Sequence, residues 1–308
     1  MSFKPRIESD EIKILRSLNL RMKLASKEKQ RYHNLVKGYE GEVMFDALTE
    51  KLQCPSYILN DLLLETNNGK CQLDSTVIFQ EKINLFEVKN YEGDFYFEGN
   101  RFYALPKKEY KNPLLQLQRS ESLLRQLLEA LGYRIPIESY VVFINPQFTC
   151  YQAPLNAPII YPNQLNRFMS KLNMLSSNLT NRHMKLAEKL ASLHLIELPY
   201  NRLPPYKYDQ LRKGLLCKIC YSFLLYVKGC KVICKKCGCE ELVDSAVLRG
   251  VQEIKLLFPD LKITTILVQE WCSVVDSKKT IRRILKQNYS VEGKKEFSFI
   301  SLHDQGLF

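Results

Sequence analysis

Short apolar runs separated by turn residues dominate the part of the chain between residues 57 and 90. Three such runs cover residues 57–64, 72–80 and 83–90. The first two are separated by Thr66-Asn67-Asn68-Gly69 and the last two by Glu81-Lys82. Gly and Asn favour tight turns, and apolar runs of this length are typical of strands. The pattern therefore predicts three consecutive strands.

Helical spacing of apolar positions flanks these strands on both sides. Residues 1–36 form a charged, mostly helical lead-in. Residues 94–105 alternate like a hairpin that turns at Gly99-Asn100. A helix runs from Pro113, which suits a first helical turn, to about Leu131, and a buried strand follows at residues 137–144. The helix before the first strand carries an apolar stripe of Val43, Met44, Ala47, Leu48 and Leu52. The predicted order is helix, three strands, helix, strand.

The second half of the chain is mainly helical in pattern. Residues 164–198 have helical spacing, and prolines mark a linker at residues 199–205, so the whole of 150–205 is predicted to be a helical insert. Further helices are predicted at residues 244–258 and 265–272.

Composition is that of a globular protein of more than one domain. The chain has 308 residues, 45% hydrophobic and 25% charged. Its apolar runs are shorter than the roughly 18 residues that a membrane span needs. The charged N-terminal region does not resemble a secretory signal. These features predict a cytoplasmic protein without a membrane span.

Positive charge gathers toward the C-terminus. The formal net charge is +12, and from Asn201 onward there are 19 Lys and Arg against 11 Asp and Glu. This bias favours a polyanionic partner, with nucleic acid first and an anionic membrane surface second. A surface that only confers solubility is the alternative.

Candidate chemistry lies at two neighbouring strands. Asp74 belongs to the second predicted strand, and Glu87 and Lys89 belong to the third. Side chains two positions apart point to the same side of a strand. Carboxylates bind a hard divalent cation through oxygen, and a lysine beside them stabilises the charge that develops on an attacked phosphate. The set predicts a metal-dependent phosphodiesterase, with the solvated face of a hairpin as the alternative.

Five motifs in order carry a resemblance to a known family. They are Gly38-x-x-Gly41-Glu42, Asn60-Asp61, Gln72-Leu73-Asp74, Phe86-Glu87-Val88-Lys89-Asn90 followed by Gly93, and Asn112-Pro113-Leu114-Leu115-Gln116. Residues 33–145 resemble the nuclease-related domain of bacterial proteins, within the restriction-endonuclease-like superfamily. This chain departs from the Pro-Asp dipeptide of that superfamily, because Leu73 precedes Asp74.

The resemblance implies roles for individual residues. Asp74 and Glu87, with the Val88 carbonyl, would ligate Mg²⁺ or Mn²⁺. Lys89 would orient or activate water and stabilise the transition state, and Gln116 would position the nucleophile or the phosphate. The resemblance also implies an α/β fold with an αβββαβ core.

Glu42 would complete the acidic cluster, directly or through water. Alternatively, Glu42 complements its helix dipole and Glu40 is the functional acid. Gln118 competes with Gln116 for the glutamine position. His33 is interpreted as a surface residue.

Six of the ten cysteines crowd between Cys217 and Cys239. Two Cys-x-x-Cys pairs in this segment have the spacing of a zinc ribbon, in which four thiolates surround a structural Zn²⁺. The predicted ligands are Cys217, Cys220, Cys234 and Cys237. Cys230 and Cys239 are spare thiols. Tyr221 stands where such ribbons often have glycine, which predicts a less regular first knuckle.

The last third ends in a basic helix and a hairpin. Ser277 is a good N-cap for a helix at residues 277–286, and residues 289–301 alternate like a hairpin. Three helices and a hairpin resemble a winged helix that places its third helix in a DNA groove. The predicted nucleic-acid contacts are Lys278, Lys279, Arg282, Arg283, Lys286, Lys294 and Lys295. A basic face that is merely solvated is the alternative.

Together these patterns predict a metal-dependent deoxyribonuclease tethered to DNA by its C-terminal modules. A non-catalytic DNA-binding protein and an RNA-acting nuclease remain alternatives. Strand preference, endonuclease or exonuclease action, pathway and homo-oligomer formation stay open. The predicted segments are a lead-in at 1–32, the nuclease-related domain at 33–148, a helical insert and linker at 149–205, a zinc ribbon at 206–242 and a winged-helix-like domain at 243–308.

Overall fold

A computed structural model describes residues 2–66, 68–196, 203–292 and 299–301. The helices are α1 (Asp10–Arg21), α2 (Ser26–Thr49), α3 (Pro113–Ala130), α4 (Leu165–Asn173), α5 (Asn181–Ser192), α6 (Val243–Leu257), α7 (Thr265–Cys272) and α8 (Lys278–Asn288). The strands are β1 (Tyr57–Thr66), β2 (Gly69–Ile78), β3 (Ile83–Lys89), β4 (Gly93–Glu98), β5 (Arg101–Ala104), β6 (Lys108–Tyr110), β7 (Ile137–Phe143), β8 (Phe148–Tyr151), β9 (Ile159–Ile160), β10 (Leu225–Lys228), β11 (Lys231–Cys234), β12 (Glu240–Leu242), β13 (Ser290–Glu292) and β14 (Phe299–Ser301).

The chain forms two compact units. The first contains Met1–Ser9 and His33–Leu198, and the second contains Asp10–Tyr32 and Pro199–Phe308. The predicted division into five segments is finer than these units and stays a prediction. In the described part of the chain, no helix combines the length and apolar character needed to cross a bilayer.

The first unit is built around a mixed sheet of order β1-β2-β3-β7-β9. Strands β1, β2 and β3 pair antiparallel, whereas β3, β7 and β9 pair parallel. Helix α3 provides the crossover between β3 and β7, and it packs on the sheet together with α5. The opposite face is covered by Phe45 of α2 and by Met169 and Leu172 of α4. Because both faces are covered, β3 is buried almost throughout, as its apolar run predicts.

The predicted order of helix, three strands, helix and strand is present in this unit, and the sheet and helices confirm the α/β class. Two details of the prediction were wrong. Residues 150–205 are not wholly helical, because β8 adds to a second sheet of order β6-β5-β4-β8 and β9 extends the main sheet. Helix α2 turns Val43 and Met44 outward, at 42% and 46% exposure. It buries Gly41, Phe45 and Thr49 instead.

The second unit joins the lead-in helix α1, the cysteine-rich hairpins and helices α6 to α8 around one core. Trp271 is its largest buried side chain. The guanidinium of Arg21 lies 4.2 Å from the Trp271 ring centroid and 2.6 Å from Glu253 Oε2. These contacts connect α1 with α6 and α7. The ribbon strands form an antiparallel sheet of order β10-β11-β12, and α6 begins directly after β12.

The three C-terminal helices and the β13–β14 pair appear in the predicted order. Ser277 caps α8, since its Oγ accepts a hydrogen bond from the Thr280 amide at 3.2 Å. Ile281, Ile284 and Leu285 are buried, as the amphipathic pattern predicts.

Candidate active site and metal centres

Two buried carboxylates face each other across β2 and β3. Asp74 is 7% exposed and Glu87 is 2% exposed. The antiparallel register pairs Ser75 with Phe86, and its continuation by one residue places Asp74 opposite Glu87. Asp74 Oδ2 accepts a hydrogen bond from the Val88 amide at 2.8 Å, which fixes its carboxylate against β3. Carboxylates in directly opposed positions can share one cation.

Lys89 and Gln116 complete this side of the site. Lys89 lies two residues after Glu87 on β3, and its Nζ donates to Glu87 Oε1 at 2.6 Å and to Gln116 Oε1 at 3.1 Å. Gln116 is in the first turn of α3, where the Asn112 side chain caps the helix and Pro113 begins it. The structure thus brings Gln116 to the lysine, and Gln118 lies exposed farther along the helix.

Glu42 reaches the site because α2 packs unusually close to the end of β3. A Cβ on Gly41 would lie 2.5 Å from the Cβ of Asn90, so only glycine fits this contact. The Asn90 Nδ2 also donates to the Lys37 carbonyl at 2.7 Å. Glu40 is exposed on another side of the helix and lines an open groove with His33. Of the two glutamates, Glu42 lies near enough to Asp74 for repulsion between their carboxylates. Its catalytic role stays a prediction.

Arg6 belongs to this site and was missed by sequence reasoning. Its Nη1 lies 2.5 Å from Glu42 Oε2, its Nε lies 2.8 Å from Asp46 Oδ2, and its Nη2 donates to the Asp74 carbonyl at 2.6 Å. The side chain is only 3% exposed. In the sequence, Arg6 is one of many charged residues in the lead-in, and no motif distinguishes it.

Burial changes the protonation of the carboxylates. It raises the pKa of Glu42 to about 8, with repulsion from Asp74 acting in the same direction and Arg6 opposing both. It raises the pKa of Glu87 to about 7, again with repulsion from Asp74, while Lys89 opposes the shift. The pKa of Asp74 is also raised by burial. Burial alone would lower the pKa of Lys89, but attraction to Glu87 and Asp74 outweighs it and raises the value to about 12.

The donor chemistry of this cluster fits a divalent cation. Ionised, the four carboxylates of Glu42, Asp46, Asp74 and Glu87 face two cations, Arg6 and Lys89, which leaves a formal charge of −2. Oxygen ligands of this kind suit Mg²⁺ and Mn²⁺. A bound cation would also offset the burial penalty that raises the pKa of these groups.

A second candidate metal centre lies in the cysteine-rich hairpins. The sulfur atoms of Cys217, Cys220, Cys234 and Cys237 all lie within 4.8 Å of one another. Among the described residues, no other group of three or more acidic, cysteine or histidine side chains brings its potential ligand atoms this close together. The carboxylate oxygens of Glu42, Asp74 and Glu87 are therefore not all as close to one another as these four sulfur atoms are. The exposed Cys230 and the half-buried Cys239 stand outside the group.

The two Cys-x-x-Cys knuckles have the same backbone arrangement. The Tyr221 amide donates to the Cys217 carbonyl at 3.0 Å, and the Gly238 amide donates to the Cys234 carbonyl at 2.9 Å. Tyr221 and Gly238 have left-handed φ angles of 54° and 71°. The predicted irregularity of the first knuckle is therefore wrong, because Tyr221 adopts the conformation that glycine adopts in the second.

The basic face of α8 is exposed, as predicted. Lys278, Lys279, Arg282 and Lys286 are exposed to solvent. Arg283 is exposed as well, but it forms an ion pair with Asp244 at 2.7 Å and donates to Gln287 at the same distance. Lys294 and Lys295 lie outside the described residues.

Comparison with known protein families finds one match, and it covers the first of these sites. The nuclease-related domain is detected at residues 37–144, a range that includes Glu42, Asp74, Glu87, Lys89 and Gln116. Neither the curated proteins nor the solved structures that were searched gave a match to the chain. The detected domain indicates a nuclease-related function with nucleic acid as the class of substrate. Arg6 lies outside the matched range.

Proposed function

We propose that the first unit is a divalent-metal-dependent nuclease that hydrolyses DNA phosphodiester bonds. The observation that carries this proposal is the convergence of Asp74, Glu87, Lys89 and Gln116 at one end of the sheet, inside the detected nuclease-related domain. Buried carboxylates are costly unless a ligand or counter-ion compensates them, so their grouping favours a site over a structural accident.

Asp74, Glu87 and the Val88 carbonyl would hold the cation. Bound there, Mg²⁺ would polarise the scissile phosphate and lower the pKa of a water molecule. The strand geometry keeps the two carboxylates opposed, and the hydrogen bond from the Val88 amide fixes the orientation of Asp74. The protein therefore supplies a preformed set of oxygen ligands.

Lys89 and Gln116 would orient the reactants. The ion pair with Glu87 holds the Lys89 ammonium in place as a positive charge beside the proposed cation site. Its contacts hold the ammonium beside Glu87, where it would stabilise negative charge that develops on the phosphate. The Gln116 carbonyl accepts from Lys89, and its side-chain amide also interacts with Glu87, so one of its two N–H groups would remain to donate to a water molecule or a phosphate oxygen.

The second unit would anchor the enzyme. Four thiolates around Zn²⁺ form a closed structural site, so the predicted zinc would stabilise the ribbon and take no part in hydrolysis. Helices α6 to α8 with the β13–β14 pair would form a winged-helix-like module. Its third helix, with exposed Lys278, Lys279, Arg282 and Lys286, would contact DNA phosphates.

Cleavage by the purified 308-residue chain tests the proposal. Linear, circular and single-stranded DNA, and RNA of the same sequence, are incubated with Mg²⁺ or Mn²⁺ and with EDTA. We expect metal-dependent cutting of DNA that is lost in Glu87→Gln and kept in Glu129→Gln, a change at an exposed position near the far end of α3. Because a chelator also withdraws zinc, the comparison of the two variants decides the result.

The rival functions predict different outcomes of the same experiment. Tight DNA binding without cutting under either metal would indicate a non-catalytic DNA-binding protein. Preferential cutting of RNA would indicate a ribonuclease, since phosphodiester chemistry alone does not distinguish the sugars.

A further inference from the structure

The segment that carries Arg6 extends the main sheet at its β1 edge. The amides of Phe3 and Lys4 donate to the Ile58 carbonyl at 2.8 and 3.1 Å, and the Asn60 amide donates to the Lys4 carbonyl at 2.9 Å. The Lys4 Nζ donates to the carbonyls of Asn60 and Asp61, each at 2.8 Å. These bonds fix the backbone immediately before Arg6. A residue outside the detected domain is thus placed in its acidic cluster.

The guanidinium of Arg6 holds three groups from two different elements. Glu42 and Asp46 are one turn apart on α2, and the Asp74 carbonyl is on β2. A planar fork with several donors can satisfy all three at once, which a point charge such as lysine cannot. Because the side chain is 3% exposed, these contacts form away from bulk water. Glu42 is therefore engaged by a cation that the protein itself supplies.

We propose that Arg6 is a positioning residue that holds Glu42 away from the divalent cation, so that Asp74 and Glu87 bind the cation without a third carboxylate. This inference rests on the metal-dependent site of the proposed function. The Oε2 atom of Glu42 lies 2.5 Å from the Arg6 Nη1, so this ion pair already engages one of its two oxygens. Mg²⁺ in enzymes uses one or two carboxylates and retains several waters, so a site limited to Asp74 and Glu87 suits it.

Removal of Arg6 should release Glu42 toward the cation. With the cation bound and the carboxylates ionised, the formal charge of the cluster would change from −2 to −3, and one more carboxylate could approach the metal. Both effects strengthen cation binding, because a buried charge near a divalent ion is only partly screened. Glu42 would then occupy a position otherwise left to water, which should slow hydrolysis. Tighter metal binding with slower turnover is the signature of this arrangement.

Mn²⁺ affinity, measured by calorimetry on the zinc-loaded 308-residue chain, tests the inference without relying on cleavage. We expect Arg6→Ala to bind Mn²⁺ about tenfold more tightly than the wild type, as a buried charge change predicts. Arg6→Lys should be intermediate, and it provides a milder variant should the alanine variant fold poorly. In the double variant Arg6→Ala/Glu42→Gln the gain should disappear. Arg101→Ala, which removes a largely exposed arginine of the same unit, should leave the affinity unchanged.

Cleavage kinetics add a second readout. At saturating metal, Arg6→Ala should lower kcat about tenfold with little change in KM for DNA, the pattern of a lost transition-state contribution rather than lost binding. A purely structural arginine would lower stability without this split. A variant that cuts faster than the wild type would mean that Arg6 blocks the site, which overturns the proposal.

The other outcomes are equally distinct. Unchanged or weaker Mn²⁺ binding in both Arg6 variants would overturn the role of Arg6. A gain that survives in the double variant would show that Arg6 does not act through Glu42. A further outcome is that the wild type and the Arg6 variants differ in Mn²⁺ affinity as expected while the wild type cuts no nucleic acid. That result would refute the nuclease function and retain the positioning role of Arg6. Absence of Mn²⁺ binding at the wild-type site would refute both.

Discussion

The two candidate metal sites of this protein are assembled in opposite ways. The carboxylate site draws Arg6, Glu42, Asp74, Glu87 and Gln116 from an edge segment, two helices and two strands. The cysteine site takes all four ligands from two knuckles that repeat the same backbone hydrogen bonds within one short segment. The first geometry exists only after the unit has folded. The second is encoded locally.

The two sites also differ in how deeply the surrounding strands are buried. The carboxylate site lies in the middle of β2 and near the end of β3, where both strands are buried. The ribbon strand β10 exposes most of its side chains, and β12 exposes two of its three. A segment with so little core would depend on a bound metal to fold. The comparison therefore predicts that metal loss unfolds the ribbon but leaves the carboxylate site in place.

Zinc removal should have the largest effect of any change considered. Cys234→Ser deletes one thiolate, and structural zinc in such sites carries an apparent binding free energy on the order of 10 kcal/mol. We expect loss of bound zinc by elemental analysis and fast hydrogen exchange across residues 217–242, with exchange in β2 and β3 unchanged. Cys230→Ser, at an exposed thiol outside the cluster, should retain zinc. Equal loss of zinc in both variants would contradict the four-cysteine assignment.

Lys89→Ala should be the most damaging change at the carboxylate site that leaves the fold intact. Removal of a fixed charge that stabilises a transition state costs about 100- to 1,000-fold in rate. We expect a loss of DNA cleavage in that range at constant zinc content, with DNA binding within about twofold of the wild type. The control is Lys51→Ala, at an exposed lysine just after α2. Cleavage retained by Lys89→Ala would remove this residue from the mechanism.

A smaller effect should separate two neighbouring arginines of the second unit. Arg282 is exposed, whereas Arg283 forms an ion pair with Asp244. If α8 contacts phosphates, Arg282→Ala should reduce the log–log salt slope of DNA binding by about 1. Arg283→Ala should reduce it less, because that charge is already partnered. The same slope in the wild type and both variants would mean that α8 does not contact DNA.

The sequence predicts much of the first site and the four cysteines of the second for different reasons. The Cys-x-x-Cys spacing determines local geometry directly, and the four sulfurs meet as predicted. Asp74, Glu87 and Lys89 could be placed because apolar runs define strand register and a strand repeats every two residues. Their assembly with Gln116 came from the family resemblance, since no spacing rule connects a strand with a helix 27 residues later.

What the sequence could not predict was determined by backbone contacts. Arg6 reaches the site because its segment pairs with β1 through amides and carbonyls, which leave no side-chain pattern. The buried face of α2 was misjudged because Gly41 allows a close helix contact, so the most apolar stripe is not the packed one. Strand β9 has only two residues, too few for any periodicity to reveal it.

The smallest predicted effect tests how local the ribbon geometry is. Tyr221 has a left-handed φ of 54° that costs an ordinary residue about 1 kcal/mol, whereas glycine adopts it freely. Tyr221→Gly should therefore leave ribbon stability unchanged or raise it by less than about 1 kcal/mol, because relief of strain is partly offset by the entropy of glycine in the unfolded chain. Gly238→Ala should cost about 1 kcal/mol through strain alone, since its Cβ would meet no atom within 4 Å. Thermal unfolding of the zinc-loaded protein measures both.

A larger loss of stability in Tyr221→Gly than in Gly238→Ala would contradict this account. It would show that the contact of the Tyr221 ring with Arg16, at 5.4 Å, matters more at this position than the backbone conformation does.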